Sequence, residues 1–89
     1  MDLFRLGVDV IGWAGSAMLI IAYWLVSKGK ISAQSFIYQF LNAFGSLLLV
    51  VNTFYYGAYP SSLVNIIWVF IGIFYIAKIQ KKEESVNSP

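Results

Sequence analysis

The sequence predicts an all-α membrane protein with three transmembrane helices, and three observations support this fold class. Apolar residues make up 60% of the 89 residues and charged residues only 11%, whereas a soluble domain carries about a quarter of its residues charged. The charges lie near the ends and in one short internal segment, which leaves long uncharged stretches. About 20 apolar residues suffice for a helix to cross a bilayer.

The uncharged stretches place the helices. Residues 10–27 carry no charge, and Lys28-Gly29-Lys30 ends this stretch. The next uncharged stretch, 31–77, is too long for one span and contains one turn-like segment at 57–62. We therefore predict helices at about 10–26, 36–56 and 62–78. They form a three-span domain, 1–80, followed by a polar cytoplasmic tail, 81–89, which we expect to be disordered.

Capping residues are predicted at the helix ends. Asp9 is the expected N-cap of the first helix, Ser32 of the second, and Ser61 or Ser62 of the third. Gly29 suits a left-handed conformation at the end of the first helix. Since no small-x-small cleavage site follows the first span, we expect it to remain attached rather than to act as a signal peptide.

Lysine and arginine are distributed unequally between the two sides of the predicted bundle. One side carries Arg5 alone, and the other carries Lys28, Lys30, Lys78, Lys81 and Lys82. Cytoplasmic loops carry the excess of these residues, so the N-terminus should lie outside and the C-terminus in the cytoplasm. All copies should insert in one direction, so any dimer should be parallel.

Polar and small residues follow one side of each predicted helix. Such groups are costly in hydrocarbon unless they face protein or water. We predict that seven of them bind substrate: Asn65, Trp68, Asn42, Thr53, Tyr23, Gln39 and Ser46. Four more are predicted to pack helices: Gly12, Ser16, Gly45 and Gly72. The opposite side of the third helix (Ile66, Phe70 and Ile73) suits lipid.

Two of these residues leave alternatives open. A carboxamide has four hydrogen-bonding sites, so Asn65 suits either a structural amide between helices or a ligand contact. Trp68 either packs or offers a flat surface to a sugar or another neutral metabolite. An interfacial aromatic belt is predicted from Tyr55, Tyr56, Tyr59, Trp13 and Trp24.

Several function classes are excluded by composition. The chain has no His and no Cys, which removes thiol and imidazole catalysis and the usual zinc and iron–sulfur ligands. No base is available to activate a hydroxyl nucleophile, so we expect no enzyme, no metal and no cofactor. The sequence has no basic stripe interleaved with aromatic residues, so we expect no nucleic-acid partner. The predicted span interiors hold no ionisable group for a proton relay.

Three short stretches resemble the SemiSWEET sugar transporters of the MtN3/PQ-loop superfamily: Ile11-Gly12-Trp13, Tyr56-Gly57 and Asn65-Ile66-Ile67. The resemblance implies a SemiSWEET-like three-helix bundle that pairs as a homodimer, with Asn65 contacting substrate at the dimer axis. Two family features differ. The Pro-Gln pair of the first helix is missing near Tyr23, and Thr53 replaces a substrate-stacking tryptophan.

A fuller likeness is to a group of short, uncharacterised bacterial three-span proteins. The matching positions are Ala22–Ser27, Tyr38–Asn42, Gly45, Asn52, Tyr55, Gly57–Ser61, Asn65 and Trp68. This likeness implies a bacterial inner membrane and brings no established activity.

Two functions remain for a chain of this kind in a lipid bilayer. Three helices cannot enclose a switchable pathway, so two parallel copies would pair around a two-fold axis along the membrane normal. Such a homodimer would move a small neutral polar solute, sugar-like, through a midplane pocket by facilitated alternating access. The alternative is a non-transporting structural or regulatory subunit that packs against other transmembrane helices. Transport requires that the polar sides of the helices contact water, whereas a structural or regulatory subunit requires that they pack against protein.

Overall fold

The computed structural model describes residues 2–87 and the side chains of residues 2–82. Three helices follow one another: α1 (Leu3–Ser27), α2 (Phe36–Tyr55) and α3 (Tyr59–Asn87). Each is long and apolar enough to cross a membrane. The all-helical prediction with three candidate spans is therefore confirmed.

The central helix of the bundle is α2. It packs against both α1 and α3, whereas α1 and α3 make no close backbone contact with each other within residues 2–87. The buried apolar side chains are small, namely Val8, Ala22 and Ala43, while large ones such as Trp13 and Phe70 are 79% and 67% exposed. Because apolar surface on this scale is unfavourable in water, the bundle suits a lipid environment.

The contacts of α2 divide its surface into two sides. Gly45 and Asn52 face α1, and Ala43 and Thr53 face α3. At 100° per residue these two faces are about 130° apart. We call the narrower sector between them, which includes Asn42, the inner side of α2. The wider outer side carries large exposed apolar residues, namely Phe36, Phe40, Phe44, Leu47 and Val51.

The N-terminal caps of α1 and α2 differ from the prediction. Asp2 rather than Asp9 caps α1, and its carboxylate accepts a hydrogen bond from the Arg5 N–H at 3.1 Å. The apolar run after Asp2 continues the helical pattern, so α1 begins at Leu3 instead of near Val10. In α2 the cap is Ser35, not Ser32; its hydroxyl accepts from the Tyr38 N–H at 3.2 Å.

Both ends of α3 also differ from the prediction. The helix begins at Tyr59, so neither Ser61 nor Ser62 is the N-cap. Pro60 lies in the first turn, where its missing N–H has no intrahelical partner to lose. The expected disordered tail is helical as far as Asn87, because lysine and glutamate are good helix formers even outside a membrane. Residues 88–89 lie outside the described residues.

Glycines end the first two helices. Gly29 and Gly57 both have a φ of 72°, a left-handed conformation that glycine adopts without steric cost. The N–H groups of Gly29 and Lys30 donate to the carbonyls of Val26 and Leu25, which is the Schellman arrangement. The prediction for Gly29 is confirmed.

Candidate functional site

The α1–α2 contact is built on glycine. A Cβ atom on Gly15 would lie 2.6 Å from the Gly45 carbonyl oxygen, and one on Gly45 would lie 2.9 Å from the Gly15 carbonyl oxygen. Nearer the start of α1, Gly12 lies against the side chain of Asn52, whose Nδ2 donates to the Val8 carbonyl at 3.0 Å. The backbones of α1 and α2 therefore approach too closely for any larger residue at the crossing.

The α2–α3 contact combines small residues with a pair of hydroxyls. A Cβ atom on Gly72 would lie 2.7 Å from the Ala43 Cβ. The Thr53 and Ser62 hydroxyl oxygens are 2.7 Å apart. Ser46 is fully buried, and its Oγ has no hydrogen-bond partner among the described residues. Two of the residues predicted to bind substrate, Thr53 and Ser46, thus lie inside the bundle.

Three predicted site residues carry amides that bond locally. Asn42 donates to the Tyr38 carbonyl at 2.8 Å, and Asn65 donates to the Ser61 carbonyl at 2.9 Å. Gln39 reaches the carbonyl of Ala33 at 2.9 Å, in the loop before α2. Within the described side chains, the amide oxygens of Asn42 and Asn65 accept no hydrogen bond, so each retains a free acceptor. Asn65 points toward α2 by its position on the helix.

The two remaining predicted positions, Trp68 and Tyr23, lie on the same inner side as Asn42. Asn42 lies there on α2, and by helical position Trp68 and Tyr23 lie on the inner sides of α3 and α1. Trp68 is 49% exposed and Tyr23 is 72% exposed. Measured from the helix contacts at Gly45 and Gly72, Asn42 lies ~4.5 Å toward the lysine-rich end and Trp68 ~6 Å toward the opposite end. Tyr23 lies farther from the helix contacts, close to the lysine-rich end of the bundle.

A groove of about 180 Å3 opens on the inner side of the α1–α2 contact. It is lined by Asp9, Gly12, Trp13, Ser16, Leu49 and Asn52. This site was not predicted from the sequence, because Asp9 was expected to be a helix N-cap and Trp13 to belong to the aromatic belt. The i, i+4, i+7 spacing of Asp9, Trp13 and Ser16 puts them on one helix face, which is the sequence signal that indicates it.

A hydrogen-bonded cluster lies beside the groove, where α1 begins and α2 ends. The Tyr56 hydroxyl donates to Asp9, and Arg5 Nε donates to the Tyr56 oxygen at 3.3 Å. The Arg5 guanidinium also lies 5.8 Å from the centre of the Tyr56 ring. Tyr56 follows the end of α2, and its hydrogen bond to Asp9 raises the pKa of the phenol. The phenol is therefore a donor at neutral pH.

No group of three or more potential metal ligands occurs in the part of the chain that the structure describes.

Comparison with known proteins shows the family of the chain and no individual relative. No curated protein and no solved structure matches the chain, and the resemblance to SemiSWEET stays a prediction. The sequence model of an uncharacterised family matches residues 8–83, in agreement with the resemblance to short three-span proteins. The chain belongs to that family.

Proposed function

We propose that the chain is one half of a small membrane transporter, completed by a second, parallel copy. The observation that carries this proposal is the inner side of the bundle. It carries half-buried Asn42 and exposed Trp68 and Tyr23, and within residues 2–87 the flanking helices α1 and α3 make no close backbone contact with each other. Polar and aromatic side chains on an uncovered face inside a membrane favour contact with water, solute or protein.

A second copy, related by a two-fold axis along the membrane normal, would place the two inner sides face to face. Asn42 and Trp68 of each copy would then line a shared pocket near mid-depth. A pocket that offers both an amide acceptor and an aromatic surface suits a polyhydroxylated neutral solute. The described side chains contain no charged group on α2 and none on α3 before Lys78. A neutral solute moving down its gradient therefore fits better than a proton-coupled one.

The alternative is a non-transporting subunit, and one observation favours it. Within the bundle, Ser46 is buried, and Thr53 and the amide donor of Asn65 form hydrogen bonds. Ordinary helix packing accounts for such residues. In this alternative the inner side is dry and is covered by helices of a different protein.

Uptake into proteoliposomes tests the proposal. Vesicles with the purified chain would be given labelled glucose, sucrose or glycerol and compared with protein-free vesicles. We expect saturable entry of at least one solute, reduced at least tenfold by Trp68→Ala. The control is Phe70→Ala, on the lipid-facing side of α3, which should leave uptake unchanged. Failure of every solute to enter, with the protein inserted, would contradict transport and support the subunit.

A further inference from the structure

We propose that the groove beside Asp9 binds an ammonium group, with the Asp9 carboxylate as its counter-ion and the Trp13 ring as an aromatic wall. The proposal concerns a single chain and does not depend on the proposed transport. It rests on the chemistry of the groove lining, on the bonding of Asp9 and on the size of the groove.

Three residues that line the groove, Asp9, Ser16 and Asn52, carry hydrogen-bond acceptors. Asn52 uses its Nδ2 to donate to Val8, which leaves its Oδ1 as the unbonded atom of the amide. The Ser16 hydroxyl oxygen and the Asp9 carboxylate are also acceptors. Neither lysine nor arginine is among the lining residues. A set of acceptors next to an exposed tryptophan face is the environment that binds alkylammonium groups.

Asp9 is a partly buried carboxylate without an ion pair among the described side chains. Its observed partner is the neutral Tyr56 hydroxyl. Arg5 donates to the Tyr56 oxygen and makes no direct hydrogen bond or ion pair with Asp9 among the described side chains. A carboxylate taken out of water gains from a directly bonded cation, and the groove is the open approach to Asp9.

The groove is large enough for a small organic cation. Its volume of about 180 Å3 is sufficient for several water molecules, each of which needs ~10–15 Å3 of such space. It therefore accommodates an ethanolamine-sized or choline-sized group. Asp9 lies ~9 Å along α1 from the crossing at Gly15, toward the end of the bundle where α1 begins. An ammonium group can come from a free solute or from a lipid headgroup.

Tryptophan emission tests this proposal. Trp24→Phe and Trp68→Phe together leave Trp13 as the only tryptophan. This protein, in maltoside micelles at neutral pH, would be titrated with ethanolamine hydrochloride at constant ionic strength, with sodium chloride as the salt control. We expect a saturable change in Trp13 emission, with affinity weakened at least tenfold by Asp9→Asn. Asp2→Asn removes a carboxylate of the same helix outside the groove and should leave the affinity unchanged.

A second variant and a second arm complete the test. Ser16→Ala keeps every charge, removes one acceptor for the ammonium N–H groups and should weaken ethanolamine binding several-fold, so a folding defect of Asp9→Asn does not decide the outcome. Vesicles of phosphatidylglycerol, alone or mixed with phosphatidylethanolamine, identify the source. An Asp9-dependent change in emission with phosphatidylethanolamine indicates a headgroup, and one with ethanolamine in micelles indicates a free ligand. The proposal is overturned if sodium chloride reproduces the change, or if neither Asp9→Asn nor Ser16→Ala weakens it.

Discussion

The two contacts of α2 are both close, but they are built differently. Toward α1, two glycines face each other, and a Cβ atom on Gly15 would meet the backbone of Gly45 at 2.6 Å. Toward α3, a Cβ atom on Gly72 would meet the Ala43 Cβ at 2.7 Å. At the first contact the nearest obstacle is a backbone atom, which no substitution removes, whereas at the second it is a side-chain methyl group. Equal closeness therefore does not mean equal tolerance of substitution.

The largest expected effect is at the α1–α2 crossing. Gly15→Ala forces the two backbones apart, and we expect it to lower the free energy of unfolding by about 3 kcal/mol, the upper part of the usual range for overpacking. The measurement is SDS denaturation in mixed micelles followed by tryptophan emission. Gly7→Ala is the matched control on the same helix, because a Cβ atom there meets nothing within 4 Å.

Gly12→Ala sharpens the same comparison. The added Cβ meets the Asn52 side chain, which can change rotamer at the loss of its hydrogen bond to Val8. We expect a cost of about 1 kcal/mol, clearly below that of Gly15→Ala. Equal losses of unfolding free energy for Gly12→Ala and Gly15→Ala would contradict the distinction between a side-chain obstacle and a backbone obstacle.

The α2–α3 contact should be repairable. Gly72→Ala is expected to cost about 2 kcal/mol through overlap with the Ala43 methyl. Adding Ala43→Gly to it moves the methyl from α2 to α3 and should restore most of the loss in the same denaturation assay. If the double variant is as unstable as Gly72→Ala alone, the obstacle is the α2 backbone and not the methyl.

The smallest expected effect is at the hydroxyl pair. Thr53→Val and Ser62→Ala remove the two partners of one interhelical hydrogen bond. A double-mutant cycle should give a coupling free energy of about 0.6 kcal/mol, the mean for such bonds in membranes. A coupling near zero would mean that each hydroxyl finds an equivalent bond within its own helix.

The spans were predictable from the sequence because the positions of charges directly limit where a helix can cross lipid. The α1 start was not, since Asp9 looks like a cap until Tyr56, from another helix, is known to bond to it. The α2 cap was missed because Ser32 and Ser35 are chemically equivalent, and only the path of the loop distinguishes them. Residue positions within each helix predicted polar sides, but not which helices pair.

The candidate site was partly predictable for the same reason. The prediction that Asn42, Trp68 and Tyr23 lie on polar sides needs only helical periodicity. That Thr53 and Ser46 lie inside the α2–α3 contact depends on which helix packs against α2. The groove combines Asp9 of α1 with Asn52 of α2, and no local pattern joins residues so far apart in the chain.

The central claim is that the inner side of the bundle meets water, and single cysteines test it most directly because the chain has none. Asn42→Cys lies on the inner side of α2, and Phe44→Cys lies two residues later on the outer side. Intact vesicles would be exposed to a charged, membrane-impermeant thiol reagent, and labelling rates would be compared. We expect Asn42→Cys to label at least ten times faster than Phe44→Cys. Equal, slow labelling of both cysteines in correctly inserted protein would contradict a water-filled inner side.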